Sequence, residues 1–147
     1  MPVPQEKNKA IILFLIFSFL TILYAIKAYN RNMVWKDEKT LWNDTVLKSP
    51  NKQRPYHNRG KAYQAEGKYA QAILDYNRAI QIDPTVLDTY NNLGNSHQGV
   101  GDFDQAVSDY TKALGIDPLN EEAYYGRGNA LRNFSASLTS NRLHNYF

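Results

Sequence analysis

The sequence has no cysteine and only three histidines among its 147 residues. Without cysteine there is no disulfide framework, no thiolate zinc site and no thiol nucleophile. The redox compartment therefore leaves no mark on the chain. His57, His97 and His144 share no metal-ligand spacing, and neither an HExxH pair nor a glycine-rich phosphate loop occurs. Serines and aspartates are present without a nucleophile elbow. The expectation is a chain that is not an enzyme and holds no cofactor and no metal. Charge of one sign is also scarce, with 17 Lys/Arg against 14 Asp/Glu. Residues 1–50 carry seven Lys/Arg and four Asp/Glu, and residues 51–147 carry ten of each. The balanced part lacks the clustered cations of a phosphate-binding face, so no nucleic-acid partner is expected.

What is present is unevenly distributed. Ala10 to Ile26 is a run of seventeen uncharged residues, bracketed by Lys9 and Lys27. Only Ser18 and Thr21 are markedly polar there, and either hydroxyl can bond back to a helical carbonyl. As a helix the run spans about 25 Å, a little short of a hydrocarbon core of about 30 Å. Ala28, Tyr29 and a snorkelling Lys27 extend it, and Tyr24, Tyr29 and Trp35 suit an interfacial belt. A soluble core helix would need partners all round it, which the rest of the chain does not supply. A cleaved signal would need small residues before the cleavage site, where Ile26 and Lys27 intrude. A single-pass membrane anchor over residues 10–28, in contact with lipid, is the expectation. The basic residues Lys27, Arg31, Lys36 and Lys39 after the run favour a cytoplasmic side for the rest of the chain.

Residues 53–86 laid over 87–120 give thirteen identities in thirty-four positions. The pairs include Tyr56/Tyr90, Gly60/Gly94, Gly67/Gly101, Ala72/Ala106, Tyr76/Tyr110, Ala79/Ala113 and Pro84/Pro118. Each unit reads as two helices. Tyr56, Gly60 and Tyr63 share one face of the first, and glycine lets a neighbour approach closely. Gly67 and Gly101 allow the turn, after which Ala72, Tyr76, Ala79 and Ile80 share a face of the second. Small alanines set against large tyrosines predict a knob-and-notch contact. Proline at 84 and 118 closes each unit. This 34-residue frame resembles the tetratricopeptide repeat. Tyr56, Gly60, Tyr63, Ala72, Tyr76, Ala79 and Pro84 fill its positions in the first unit. Tyr90, Leu93, Gly94, Ala106, Tyr110, Ala113 and Pro118 do so in the second, with His97 at a position that usually holds an aromatic.

The expected fold is therefore all-α: an N-terminal transmembrane helix followed by a short α-solenoid of helix-turn-helix repeats. The predicted layout is a tail over 1–9, the membrane helix over 10–28, and a juxtamembrane segment with a capping helix over 29–52. Repeats come next over 53–86 and 87–120, then a partial third over 121–134 and a degenerate tail over 135–147. Within 34–48, Trp42 takes the slot of Tyr76 and Tyr110. After Phe134 the pattern fails, and Ser140 replaces the expected alanine. With roughly three repeats needed for independent stability, the chain reads as a truncated or frameshifted piece whose tail is expected to be disordered or only loosely packed.

The resemblance implies that first helices line a concave groove. Its groove positions are Arg54, His57, Asn58, Lys61 and Gln64, then Asp88, Asn91, Asn92, Asn95 and Gln98, then Glu122, Tyr125, Asn129 and Arg132. Amides dominate, and an asparagine both donates and accepts, matching both groups of a peptide bond. The expected peptide-binding residues are His57, Asn58, Lys61, Asn91, Asn92, Asn95, Gln98 and Asn129, with a protein or extended peptide as partner. Plain solvated helix surface is the alternative for the same amides. Asn58 and Asn92 share one repeat position and are similar to the asparagine ladder of O-GlcNAc transferase, which Gly126 interrupts in the third unit. Chaperone-binding members of the family use a clamp of Lys, Asn, Asn, Lys and Arg. His57 and Glu122 replace its two lysines, so that clamp is not expected.

The junction residues 31–42 and Lys48-Ser49-Pro50-Asn51 resemble the segment after the last membrane helix of polytopic glycosyltransferases that carry these repeats, a group similar to protein O-mannosyltransferases. The resemblance covers about residues 10–134. It implies repeats on the extracytoplasmic side, against the basic-flank count, and the expectation leans that way. It also implies a catalytic carboxylate in a loop that this chain does not contain. Two functions are therefore weighed: a membrane-anchored interaction module, or the substrate-recruiting portion of such a glycosyltransferase, not catalytic by itself. A remnant that does not fold stably is a third option. The sequons Asn43-Asp44-Thr45 and Asn133-Phe134-Ser135 matter only in a secretory context.

Overall fold

The computed structural model describes residues 4–34 and 38–144. Trp35, expected at a membrane interface, and the chain end 145–147 lie outside the described residues. Among the described residues all regular structure is α-helical. The chain divides between Leu41 and Trp42 into two compact units.

The first unit holds α1 (Pro4–Val34). Its stretch Lys7–Asn30, 24 residues, is long and apolar enough to cross a membrane, and none of it is buried against protein. At 1.5 Å per residue it spans about 36 Å, more than the hydrocarbon core requires. The apolar run alone looked slightly short because the helix continues past both bracketing lysines. Phe14, Phe17 and Leu13 are each about two-thirds exposed, so apolar side chains project on every side. Thr21 Oγ1 donates to the carbonyl of Ser18 at 2.8 Å, which satisfies the hydroxyl within its own helix.

The second unit is a stack of antiparallel helix pairs. After the last turns of α2 (Glu38–Lys48) come α3 (Gln53–Ala65) and α4 (Tyr69–Ile82), then α5 (Leu87–Gly99) and α6 (Phe103–Ile116), then α7 (Glu121–His144). Each helix from α3 to α7 packs on the next, and α5 also touches α3 and α7. The pairs turn at Gly67 and Gly101, with φ of 72° and 81°. A Cβ there would be strained, which is why glycine stands at both. Between pairs the chain leaves helical geometry at Asp83 and Asp117. The Asp83 carboxylate accepts from the Thr85 N–H at 3.0 Å and from its hydroxyl at 2.6 Å, and Asp117 accepts from the Leu119 N–H at 3.0 Å. Asn120 then caps α7 through its side-chain oxygen, which accepts the Ala123 N–H at 2.9 Å.

The repeat core is built from a few identical contacts. Ala72, Tyr76, Ala79, Ala106, Tyr110 and Ala113 are all fully buried. The notch that receives each tyrosine is a glycine of the preceding helix rather than an alanine. A Cβ on Gly60 would lie 2.7 Å from Tyr76 Cε1, and one on Gly94 2.9 Å from Tyr110 Cε1. No real side chain sits so close, so the ring occupies the space a residue larger than glycine would fill.

The third unit departs from its predecessors. Ser135 stands thirty-four residues after Gly101, where both earlier units turn. Serine does not take up the positive φ of that turn cheaply, and α7 runs straight on to His144. Its hydroxyls bond back to the helix: Ser135 Oγ to Arg132 O, Ser137 Oγ to Phe134 O and Thr139 Oγ1 to Ser135 O, at 2.7–2.9 Å. The end of the repeat pattern after Phe134 is thus not the end of the helix. Local back-bonding carries a polar, serine-rich stretch that has no neighbour to fold against.

Candidate peptide-binding groove

The first helices of the units, α3, α5 and α7, lie side by side, and their shared face carries the candidate site. A depression of about 540 Å³ is lined by Lys61, Gln64 and Ala65 of α3, Tyr69 of α4, and Asn92 and Asn95 of α5. Three of the eight expected binding residues, Lys61, Asn92 and Asn95, come together there. Gln64, another of the expected groove positions, also lines the depression. Ala65 and Tyr69 were not expected. Their signal is position alone, since they flank the Gly67 turn and follow its sharp reversal into the groove wall.

Two of the lining amides, Gln64 and Asn95, are held by buried tyrosine hydroxyls. The Tyr76 hydroxyl donates to Gln64 Oε1 at 2.7 Å. One repeat on, Gln98 Nε2 donates to the Tyr110 oxygen at 2.6 Å, and the Tyr110 hydroxyl donates to Asn95 Oδ1 at 2.7 Å. Asn95 Nδ2 faces Glu122 Oε1 at 3.4 Å. Burial pushes the Tyr110 phenol up to about 12, and burial with the nearby Asp75 charge raises Tyr76 as well. Both phenols therefore stay protonated and keep their donor role.

The remaining expected residues serve the packing more than the opening. Asn91 is 1% exposed, between α5 and α7. Its Nδ2 donates to Asn120 Oδ1 at 3.0 Å and faces Glu122 Oε2 at 3.4 Å. Its own Oδ1 is buried with no partner. Asn91 thus lies in the seam between α5 and α7 and does not line the depression. The helix rotation that exposes Asn92 and Asn95 turns Asn91 inward. His57 is half-buried, with Nδ1 2.9 Å from the hydroxyl of fully buried Thr89, which also accepts from Gln53 Nε2 at 3.2 Å. It joins α3 to α5 at the groove edge. Burial and then the Lys61 cation lower its pKa below 6.5, against a smaller pull upward from Asp88. Asn58 is half-buried on α3, Gln98 holds Tyr110, and Asn129 on α7 accepts from Arg132 Nη2 at 3.1 Å, apart from the depression.

Two buried carboxylates escaped the sequence-based expectation. Asp75 takes a two-pronged contact from Arg59, Nε to Oδ2 at 2.7 Å and Nη2 to Oδ1 at 2.6 Å, and Arg59 Nη1 reaches Asn43 Oδ1 of α2 at 3.2 Å. The bond to Asp75 holds the guanidinium pKa above its ordinary value. At the equivalent Asp109, which is 2% exposed, His97 Nδ1 stands at 2.7 Å and Lys112 Nζ at 3.3 Å. His97 thus replaces an aromatic because the carboxylate beneath it needs a partner. The repeated Asp at 75 and 109 was the available signal. No group of three His, Asp or Glu side chains suited to a metal occurs among the described residues.

Residues 60–101 match the family described as TPR repeat, and residues 87–120 match that described as tetratricopeptide repeat. The chain carries tetratricopeptide repeats. Solved structures agree on the fold. The first TPR domain of human RPAP3 superposes with a TM-score of 0.68 at 20% identity, covering 78% of this chain and 90% of that one. The second TPR domain of human RPAP3, solved in complex with HSP70 peptide SGPTIEEVD, gives 0.63 at 18% identity, covering 71% and 87%. A curated relative, protein O-mannosyl-transferase Tmtc3 of Drosophila melanogaster, is 31% identical over 65 residues. That match takes in 44% of this chain and only 7% of the relative's length. The tetratricopeptide units thus supply a fold generally used for protein contacts and not for catalysis.

Proposed function

We propose that the chain is a membrane-anchored interaction module, whose α1 sits in lipid and whose tetratricopeptide groove holds an extended peptide or protein segment. The observation that carries it is the depression lined by Lys61, Gln64, Asn92 and Asn95. These four side chains offer donors and acceptors side by side, which suits the alternating N–H and C=O groups of a backbone. The apolar span of α1 supports the anchor. The second RPAP3 domain was solved with an acidic HSP70 peptide. Here Glu122 leans on Asn91 and Asn95 beside the depression. A carboxylate there repels a peptide's terminal carboxylate, so the groove favours an internal or basic segment over an acidic chain end.

A second reading, the substrate-recruiting part of a protein O-mannosyltransferase-like enzyme, rests on the similarity to Tmtc3. In it the groove function is the same, and catalysis belongs to a part of such an enzyme outside the matched residues.

The test is selection from a random peptide library against the detergent-solubilised chain. Enriched sequences are expected to bind at least about tenfold more weakly to Asn92→Ala and Lys61→Ala, the loss of roughly one well-made hydrogen bond to a charged or amide group. No enrichment, or selected peptides indifferent to both substitutions, would overturn the proposal.

A further inference from the structure

The two complete repeats share one contact that the third lacks. Gly60 receives Tyr76 and Gly94 receives Tyr110, in each case sixteen residues later. The next glycine in register, Gly128, is open, and a Cβ built there meets nothing within 4 Å. The helix that would cover it does not form, because α7 runs through Ser135 without turning. The consequence is visible around the notch. Tyr90 is 8% exposed, whereas Tyr124, its equivalent, is 51% exposed. Leu131 and Leu138 on the same side are 50% and 54% exposed.

Tyr124, Gly128, Leu131, Ser135 and Leu138 follow one another at spacings of four, three, four and three. That is the seam of a helix that packs against another along its length. Large and small side chains alternate along it, so the seam is complementary to itself when two copies run antiparallel. Leu131 of each copy then faces Gly128 of the other, and Tyr124 faces Ser135. This repeats between chains the large-on-glycine contact that holds each unit within the chain. The flanks agree with that pairing. In an antiparallel pair like flanks meet, which sets Arg127 beside Phe134 and Tyr125 beside Arg132 of the other copy. Arginine already stacks in this way here, with the Arg127 guanidinium carbon 5.4 Å from the Tyr124 ring centre. We propose that this face of α7 is a self-association surface that takes the α7 of a second copy, antiparallel and two-fold symmetric.

The absence of cysteine makes the test clean. Leu131→Cys in the full chain, reconstituted in lipid vesicles, is expected to give a covalent dimer with a short bis-maleimide. Leu74→Cys, 71% exposed on α4, controls for random collision and for pairing through the membrane helix. Gly128→Phe added to Leu131→Cys fills the notch in a place that is empty within one chain, so helicity and melting temperature are expected not to fall while the crosslink drops at least about tenfold. A Leu131→Cys yield no higher than that of Leu74→Cys overturns the proposal, as does a crosslink that survives Gly128→Phe. A larger α-helical partner on this face would give the first of these outcomes.

Discussion

The smallest decisions in this protein are taken at single residues. Gly60 and Gly94 are glycines because a tyrosine ring stands where their Cβ would be. The repeat of Gly and Tyr was plain in the sequence, but which small residue faced which ring was not, since the alanines share the helix with the tyrosines. His57 illustrates a second limit. Its type suggested a ligand-contacting residue, whereas its Nδ1 is spent on Thr89 of the next helix. Burial and the Lys61 cation lower its pKa from 6.5. The fold therefore resists a proton that the unfolded chain accepts readily. The contribution of neutral His57 to stability is complete above about pH 6.5 and is lost as pH falls through the lowered folded value. Melting temperatures followed by circular dichroism are expected to drop further between about pH 7.5 and about pH 5 for the wild type than for His57→Gln, which keeps a side-chain hydrogen bond but does not titrate. Equal drops would show that His57 takes no part in the acid sensitivity.

At the scale of elements, helix number and order in the repeats were legible from periodicity and from Pro84 and Pro118 because each signal has one structural outcome. Pro ends a unit, and Gly67 and Gly101 supply a positive φ. The length of α7 was not legible in the same way. Loss of the aromatic-and-alanine pattern after Phe134 suggested a loose tail, although a helix needs only compatible φ and ψ and satisfied carbonyls, which the Ser135, Ser137 and Thr139 hydroxyls help to provide. The informative residue was Ser135, the missing turn glycine. Asn91 and Asn95 make the corresponding point for the groove. Four residues apart on one helix, they differ by the small rotation that buries the first and leaves the second at the opening. The turn logic predicts opposite effects for one chemical change. Gly101→Ala meets no atom yet must hold a left-handed backbone, so it is expected to lose about 1 kcal/mol, or several degrees of melting temperature. Gly115→Ala, inside α6 and equally unobstructed, is expected to gain up to about 1 kcal/mol. Denaturant unfolding of the two variants checks the pair, and a loss at both positions would refute the role assigned to Gly101.

At the scale of the whole molecule, the two units present opposite kinds of surface. In the repeat unit Tyr76 and Tyr110 are buried on glycines, and their hydroxyls bond to Gln64, Gln98 and Asn95. In α1 the reverse holds, with apolar side chains exposed all round the helix and the Thr21 hydroxyl tied back to its own backbone. Exposing that much apolar surface to water is costly at about 25 cal/mol per Å², which supports the proposed membrane anchor. The charge pattern agrees, with the basic excess confined to the first fifty residues and neutrality beyond. Phe17 lies near the middle of Lys7–Asn30 and is 68% exposed. An arginine at the centre of a span costs about 2.5–3.5 kcal/mol on insertion. In cells expressing the full chain, the wild type is expected to stay with the membrane pellet after an alkaline carbonate wash. Phe17→Arg is expected to pass in large part to the supernatant with its repeat helicity intact. Recovery of the wild type itself in the carbonate supernatant would rule out the anchor and leave the groove to act in solution.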